Sequence, residues 1–153
     1  MTALQRIANG LREILSPPRP NVPEGPLRAV NLERGGVLAT HLEVAASGPK
    51  RRKGLLGRQG LAPGDGLWIV PCESVHTFFM QFPIDLVYLD RENRVKKVRS
   101  AVGAWRMSAC FSAHSVIELP AGTIRGTQTQ AGDTLEFTPV GQESSGSQAA
   151  AQA

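Results

Sequence analysis

The chain has 153 residues, which is enough for one domain with a substantial core and too few for two domains of ordinary size. Its 41% hydrophobic and 20% charged residues are typical of a soluble globular protein, and no segment has the roughly 18 consecutive apolar residues of a membrane span. The net charge of +4 is spread along the chain, which argues against a dedicated nucleic-acid binder.

A short amphipathic helix is predicted at the start of the chain, because apolar residues recur there at every third or fourth position. They are Leu4, Ile7, Leu11 and Ile14. Arg6 and Arg12 interrupt this stretch, so it does not form the apolar segment of a signal peptide, and we expect a cytoplasmic protein. The helix is interpreted as loosely docked, with a weak membrane-surface contact by residues 1–16 as the alternative.

Three regions follow from the change in composition along the chain. Residues 1–26 comprise the predicted helix and a linker with five prolines between positions 16 and 26. Residues 27–140 carry the alternating apolar pattern of a folded domain. Residues 141–153 are small and polar, which predicts a disordered tail.

The folded region is predicted to contain six to eight short strands, since 16 glycines and 11 prolines favour many turns. A short helical insert is expected around Arg51–Arg58. The predicted strands lie, in order, in "GVLATHLEVAAS", "LWIVP", "SVHTFFMQFPIDLVYLD", "VKKVRSAV", "SVIELPAG" and "TLEFTPV". We therefore predict a mainly β protein, a compact jelly-roll-like sandwich or barrel with one helical insert and with the N-terminal helix outside its core.

The most apolar strand candidate is the stretch from Ser74 to Asp90. Residues 75–82 are predicted to form a strand that is buried on both faces, and Pro83 is predicted to bend it because proline has no N–H to donate. Asp85 then shares a face with apolar residues. A buried carboxylate needs partners, and backbone N–H groups freed by the bend, Arg58 and His76 are the candidates.

Catalysis is the weaker of two functional interpretations. His76 is expected to be a neutral, hydrogen-bonded core histidine, but His76 with Asp85 or Cys72 could act as the base and nucleophile of a small hydrolase or isomerase. The chain lacks the Gly-x-Ser-x-Gly motif of a serine nucleophile. No catalytic residue is therefore assigned.

A non-catalytic binding or accessory module is the preferred interpretation. Four adjacent cations precede the helical insert, and an aromatic and an arginine side chain lie in a predicted loop. The candidate ligand-binding residues are Lys50, Arg51, Arg52, Lys53, Arg58, Trp105 and Arg106. The partner is expected to be a small molecule, a peptide or an anionic surface. Nucleic acid is not favoured, because aromatic and basic residues do not interleave.

Metal or cofactor binding is not predicted. Cys72 and Cys110 are the two cysteines, and they form neither a CxxC motif nor a cluster with metal-ligand spacing. Two reduced thiols are expected in a cytosolic protein, and a single disulfide remains the alternative.

Five segments, in order, resemble the DUF192 family, a bacterial and archaeal domain family of unknown function. They are "RRKGLLGR", "GDGLWIV", "VHTFFMQFPIDLVYLD", "VIELPAG" and "AGD". The chain departs from the family pattern at Leu56, where methionine is usual, at Phe79, where tryptophan is common, and at Gln81-Phe82, where an Asn-Thr pair is common. The resemblance implies a compact β-sandwich or barrel of jelly-roll type and no known activity. Arg58 and Asp85 match the family's Arg and Asp, and we expect them to form an ion pair.

Overall fold

The computed structural model describes residues 25–141, and within this range the chain forms nine β-strands and two short helices. In chain order the elements are β1 (Leu27–Asn31), β2 (Val37–Ala45), α1 (Gly48–Lys53), β3 (Asp65–Ile69), β4 (Ser74–His76), β5 (Ile84–Leu89), β6 (Val95–Val102), β7 (Met107–Ala109), β8 (Ser115–Pro120), α2 (Thr123–Thr127) and β9 (Leu135–Pro139). The predicted N-terminal helix and most of the predicted tail lie outside the described residues.

Seven of these strands form one curled sheet in the order β6-β5-β8-β3-β2-β1-β9. All neighbouring pairs are antiparallel except β2 and β3. The two edge strands approach each other at one end, where Arg94 forms a bridge with Thr134 and the Val95 N–H donates to the Asp133 carbonyl at 2.7 Å. The sheet is thus a half-barrel, and with the second, two-stranded sheet β4-β7 it confirms the predicted sandwich or barrel architecture.

Two apolar layers pack on the two faces of the large sheet. In β5, Val87 and Leu89 point into the curled sheet, while Leu86 and Tyr88 belong to the layer on its outer face. Every residue of β5 is buried because both faces are covered. Alternation places Asp85 on the inner face of the sheet.

The outer face is covered by two segments. One is the antiparallel pair β4–β7, called the ribbon below, which turns Val75 and Ser108 inward. The other is α1 with the turn after it, which contributes Leu55 to the outer layer. Any polar group on the outer face of the central strands is therefore enclosed between two layers.

The prediction of one long strand over residues 75–82 is wrong. β4 ends at His76, and the buried Thr77 hydroxyl donates to the Gly103 carbonyl at 2.7 Å and accepts from the Arg106 N–H at 2.9 Å. These bonds close a compact turn, in which Phe79 takes a left-handed conformation with φ of 63°. Some apolar residues of this stretch are exposed, so its high apolar content led to an overestimate of its burial.

Both helices differ from expectation. The insert helix α1 starts earlier than predicted, with a proline in its first turn, and it ends at Lys53, with Gly54 as its C-cap. α2 follows β8 in a stretch for which no helix was predicted. Neither helix of the described range is long and apolar enough to cross a membrane.

Candidate functional site

Asp85 is fully buried and is held by backbone amides. Its carboxylate accepts hydrogen bonds from the N–H groups of Ala101 at 2.8 Å, Gly122 at 3.1 Å and Ile124 at 2.8 Å. Two of these amides belong to the start of α2 and the third to the end of β6. The carboxylate therefore ties β5 to two other elements, which supports the structural interpretation of Asp85.

The expected ion pair between Arg58 and Asp85 is absent from the structure. Arg58 instead donates two hydrogen bonds to the carboxylate of Glu43 on β2, at 3.0 and 3.1 Å. These hydrogen bonds hold the pKa of Glu43 below its ordinary value. The expectation failed because Asp85 and Arg58 lie on opposite sides of the sheet, and backbone donors already satisfy the aspartate.

His76 does not form a pair with Asp85. It lies on the solvent side of β4 and stacks on Phe78 with 4.9 Å between ring centroids, so the expectation of a core histidine is also wrong. Cys72 is half-buried, and its thiol donates to the Ser74 carbonyl at 3.1 Å. Burial raises the pKa of this thiol, which makes it a weaker nucleophile at neutral pH. The geometry thus gives no support to a His76-based dyad.

The predicted basic cluster lies on α1. Lys50, Arg52 and Lys53 are exposed, whereas Arg51 is half-buried and reaches the Val70 carbonyl at 3.5 Å. All four belong to the last turn of the helix, where cations interact favourably with the helix dipole. Within residues 25–141 none of them has a carboxylate within 4.0 Å, since the two ion pairs there are Arg34–Asp133 and Arg58–Glu43.

Trp105 belongs to a group of exposed aromatic side chains at one end of the ribbon. Its ring centroid lies 5.7 Å from that of Phe78 and 4.7 Å from that of Phe79. Met107 pairs with His76 across the ribbon and is 71% exposed. We call these residues the ribbon patch: His76, Phe78, Phe79, Trp105 and Met107. Arg106 is exposed next to the patch.

The backbone holds the ribbon patch outward. Phe79 and Trp105 have φ of 63° and 59°, a left-handed conformation that costs a non-glycine residue on the order of 1–2 kcal/mol. The Thr77 carbonyl accepts from the N–H groups of Trp105 at 3.0 Å and Met80 at 3.2 Å, which fixes both loops. The exposure of these rings is therefore built into the fold.

Glu118 is a candidate that the sequence analysis missed. It lies at the centre of β8 on the outer face of the sheet, between Leu67 and Leu86 on the neighbouring strands. It is only 5% exposed, and its Oε2 atom has no hydrogen-bond partner. Burial raises the pKa of this carboxyl to about 7, and the charge of Arg58 opposes the rise. An acid that is half protonated near neutral pH can bind a cation or exchange a proton.

Other polar groups with no partner lie on the same face as Glu118. Burial raises the pKa of Tyr88, and the nearby Ser108 hydroxyl opposes this rise. The hydroxyls of Tyr88 and Ser108 nevertheless make no hydrogen bond of good geometry. No group of three or more His, Cys, Asp or Glu side chains suitable for a metal ion occurs in the described part of the chain. Three of the four buried polar atoms without a partner in the described residues, those of Glu118, Tyr88 and Ser108, therefore lie in the outer layer, and the fourth, Trp68 Nε1, belongs to the inner one.

The fold and these two features define a small β half-barrel with an exposed aromatic ribbon and a buried, unpaired acid. The chain belongs to the DUF192 family, whose description is "Uncharacterized ACR" and whose model matches residues 30–137. A UPF0127 protein of Thermococcus gammatolerans is 32% identical over 114 residues, which cover 71% of this chain and 73% of that protein. The resemblance seen in the five segments is confirmed.

Two solved structures share the fold. One, from Sinorhizobium meliloti, is described as a "putative transcription regulator"; its TM-score is 0.62 at 21% identity, over 72% of this chain and 91% of that one. The other, a protein of unknown function from Novosphingobium aromaticivorans, has a TM-score of 0.59 at 18% identity, over 72% of this chain and 83% of that one. Identities this low establish the common fold only.

Proposed function

We propose that this protein is a non-catalytic binding module that docks a partner protein through the ribbon patch. One observation carries the proposal. Seven large hydrophobic side chains are exposed within residues 25–141, and three of them belong to the ribbon patch. They are Phe79 at 72% exposure, Trp105 at 57% and Met107 at 71%. Concentrated exposed apolar surface marks an interaction site.

The composition of the patch favours a protein partner over nucleic acid. Aromatic residues, methionine and arginine are the types enriched at the centres of protein interfaces, and Trp and Arg are frequent among the residues that dominate binding energy. Binding of single-stranded nucleic acid would call for a groove lined with cations along the aromatic rings. Arg106 is the one cation in the sequence between Val102 and Phe111.

The rigidity of the patch also favours binding. Loop ordering on association costs about 0.5–1.5 kcal/mol for each immobilised side chain. The hydrogen bonds around Thr77 fix the loops that carry Phe79 and Trp105 before any partner arrives. The backbone that carries the aromatic groups therefore loses little freedom on contact.

Site-specific photo-crosslinking in cells tests the proposal. Phe79 is replaced by p-benzoylphenylalanine, and Leu32, which is 56% exposed in the turn after β1, receives the same probe as the matched control. We expect a discrete protein adduct from position 79 that position 32 does not give. The adduct is then identified by mass spectrometry and its affinity for the purified chain is measured.

Two variants decide whether that adduct reports a specific interface. Trp105→Ala should weaken binding of the identified partner by about tenfold or more, while Val140→Ser, at an exposed site outside the ribbon, should leave it unchanged. Equal labelling from positions 79 and 32, unchanged affinity in Trp105→Ala, or an adduct with nucleic acid would each overturn the proposal.

A further inference from the structure

The linker before β1 carries a regular proline repeat. Every third residue is a proline over this stretch, namely Pro17, Pro20, Pro23 and Pro26. Polyproline II is a helix with three residues per turn, so residues at this spacing lie on one of its faces. A residue that precedes a proline is itself restricted to extended or polyproline II backbone. The sequence therefore favours a polyproline II segment with one face lined by proline rings.

The ribbon patch has the chemistry that recognises such a segment. Proline-rich segments dock on exposed aromatic rings, because their backbone is already extended and loses little entropy on binding. Phe79 and Trp105 are 72% and 57% exposed, and their rings meet at 61°. The carbonyls of polyproline II make no internal hydrogen bond, so they can accept from an indole N–H such as that of Trp105. The patch and the proline repeat are thus complementary.

The position of Pro26 indicates which copy of the chain supplies the prolines. The Pro26 carbonyl accepts from the Val140 N–H at 3.1 Å, which fixes it at the start of β1. The patch is fixed beside the end of β6, because the Thr77 hydroxyl donates to the Gly103 carbonyl at 2.7 Å. Strands β5, β8, β3 and β2 lie between β6 and β1 in the sheet. At about 4.8 Å per strand spacing, Pro26 and Gly103 lie on the order of 20–25 Å apart.

The approach of the two sheet edges does not shorten this path. The edges meet where Arg94 bridges Thr134, and that bridge is antiparallel, so β6 and β9 lead away from it in opposite directions. Three residues of polyproline II span about 10 Å, so Pro23 stays within about 10 Å of Pro26 in its own chain. The repeat of a second copy is under no such limit and can bring several of its prolines to the patch.

We propose that the ribbon patch binds residues 17–23 of a second copy of this chain, with Pro17, Pro20 and Pro23 against the exposed rings of Phe79 and Trp105. The inference rests on the proposed function, because it names the partner that the patch docks. The protein then associates with itself through its own proline repeat.

Photo-crosslinking of the purified full chain tests which copy is bound. Chains with p-benzoylphenylalanine in place of Phe79 are mixed with an equal amount of nitrogen-15-labelled wild-type chain, irradiated and digested. We expect mass spectrometry to find adducts that join the unlabelled position 79 to labelled residues 17–23. Adducts that join only unlabelled peptides, or labelled peptides from elsewhere in the chain, would contradict the proposal.

Proline variants of the full chain test the face of the repeat. Replacing Pro17, Pro20 and Pro23 together by alanine should weaken self-association by about tenfold or more in sedimentation equilibrium, as should Trp105→Ala. Pro18→Ala is the matched control, since Pro18 lies off the three-residue repeat, and it should leave self-association unchanged. The triple variant and the control change no residue of β1–β9, and circular dichroism checks that both variants fold.

Two results would count against the inference and not against the proposed function. One is equal self-association of the triple variant and Pro18→Ala. The other is a purified wild-type chain that stays monomeric while position 79 captures a different protein in cells. In both cases the patch would still dock a partner, but that partner would not be the proline repeat of a second copy.

Discussion

Two acids are buried in neighbouring strands of the same sheet, and their surroundings are opposite. Asp85 on β5 points to the inner face, where three backbone N–H groups donate to it. Glu118 on β8 points to the outer face, where its Oε2 atom has no donor. Both side chains are at most 5% exposed. Burial therefore does not distinguish a structural acid from an available one, and the supply of donors does.

The difference follows from the two elements that cover the faces. α2 brings the amides at its first turn to the inner face, where a carboxylate suits the start of a helix. α1 brings its last turn to the outer face, where the free backbone groups are carbonyls that cannot donate. The same residue type is thus satisfied at one helix end and left without donors at the other.

Removing the satisfied acid should have the largest effect. Asp85→Ala leaves three amides without their acceptor, at about 1–3 kcal/mol for each buried donor before water relieves some of them. We expect a loss of about 3–5 kcal/mol in the free energy of unfolding, measured by urea denaturation. Glu92→Gln, at an exposed position, serves as the control and should change it by less than about 0.5 kcal/mol. A loss below about 1 kcal/mol would show that Asp85 does not hold α2 and β6.

Removing Glu118, the unsatisfied acid, should increase the free energy of unfolding at alkaline pH, whereas removing Asp85 decreases it. The pKa of Glu118 is about 7 in the folded chain against an ordinary value of 4.5, so the folded state favours the protonated form. The contribution of Glu118 to the free energy of unfolding should be most favourable below about pH 4.5 and should decrease by about 3 kcal/mol between about pH 4.5 and pH 7, since each pKa unit is 1.36 kcal/mol.

Glu118→Gln is the variant that isolates this effect. It should abolish that part of the pH dependence and make the protein more stable than wild type at about pH 8. Urea denaturation at several pH values measures both quantities. Parallel pH profiles for wild type and Glu118→Gln would contradict the assigned pKa.

The parts of the fold that the sequence predicted are those whose apolar pattern reflects burial. β5 and β6 match the predicted strands, because in both the pattern records which faces are covered. The prediction of a buried strand over residues 75–82 was wrong because the chain turns at Thr77 and exposes Phe79. Apolar character there does not mean burial. The helix α2 was not predicted because its start is held by Asp85, 39 positions from Ile124. Such a long-range contact leaves no signal in the local sequence.

The candidate sites were predictable to a smaller extent. Trp105 is exposed on a loop as expected, but the aromatic neighbours that form the patch with it come from another segment. Glu118 was overlooked because one acid in a strand resembles an ordinary solvent-facing residue. A signal existed: its neighbours Ile117 and Leu119 serve one face and Val116 the other, so both faces were apolar and the acid between them had to be buried.

The smallest predicted effect concerns Arg58, which pairs with neither of the two buried acids. Arg58 binds Glu43 at the surface, and such an exposed pair contributes about 0–1 kcal/mol, so Arg58→Gln should hardly change stability. The same charge opposes the rise of the Glu118 pKa, and its removal should move that pKa further above about 7. Carboxyl NMR titration of Glu118 measures the shift, with Arg28→Gln, at an exposed position in β1, as the control. An unchanged Glu118 titration in Arg58→Gln would mean that burial alone sets the pKa of Glu118 and that the charge of Arg58 acts only on Glu43.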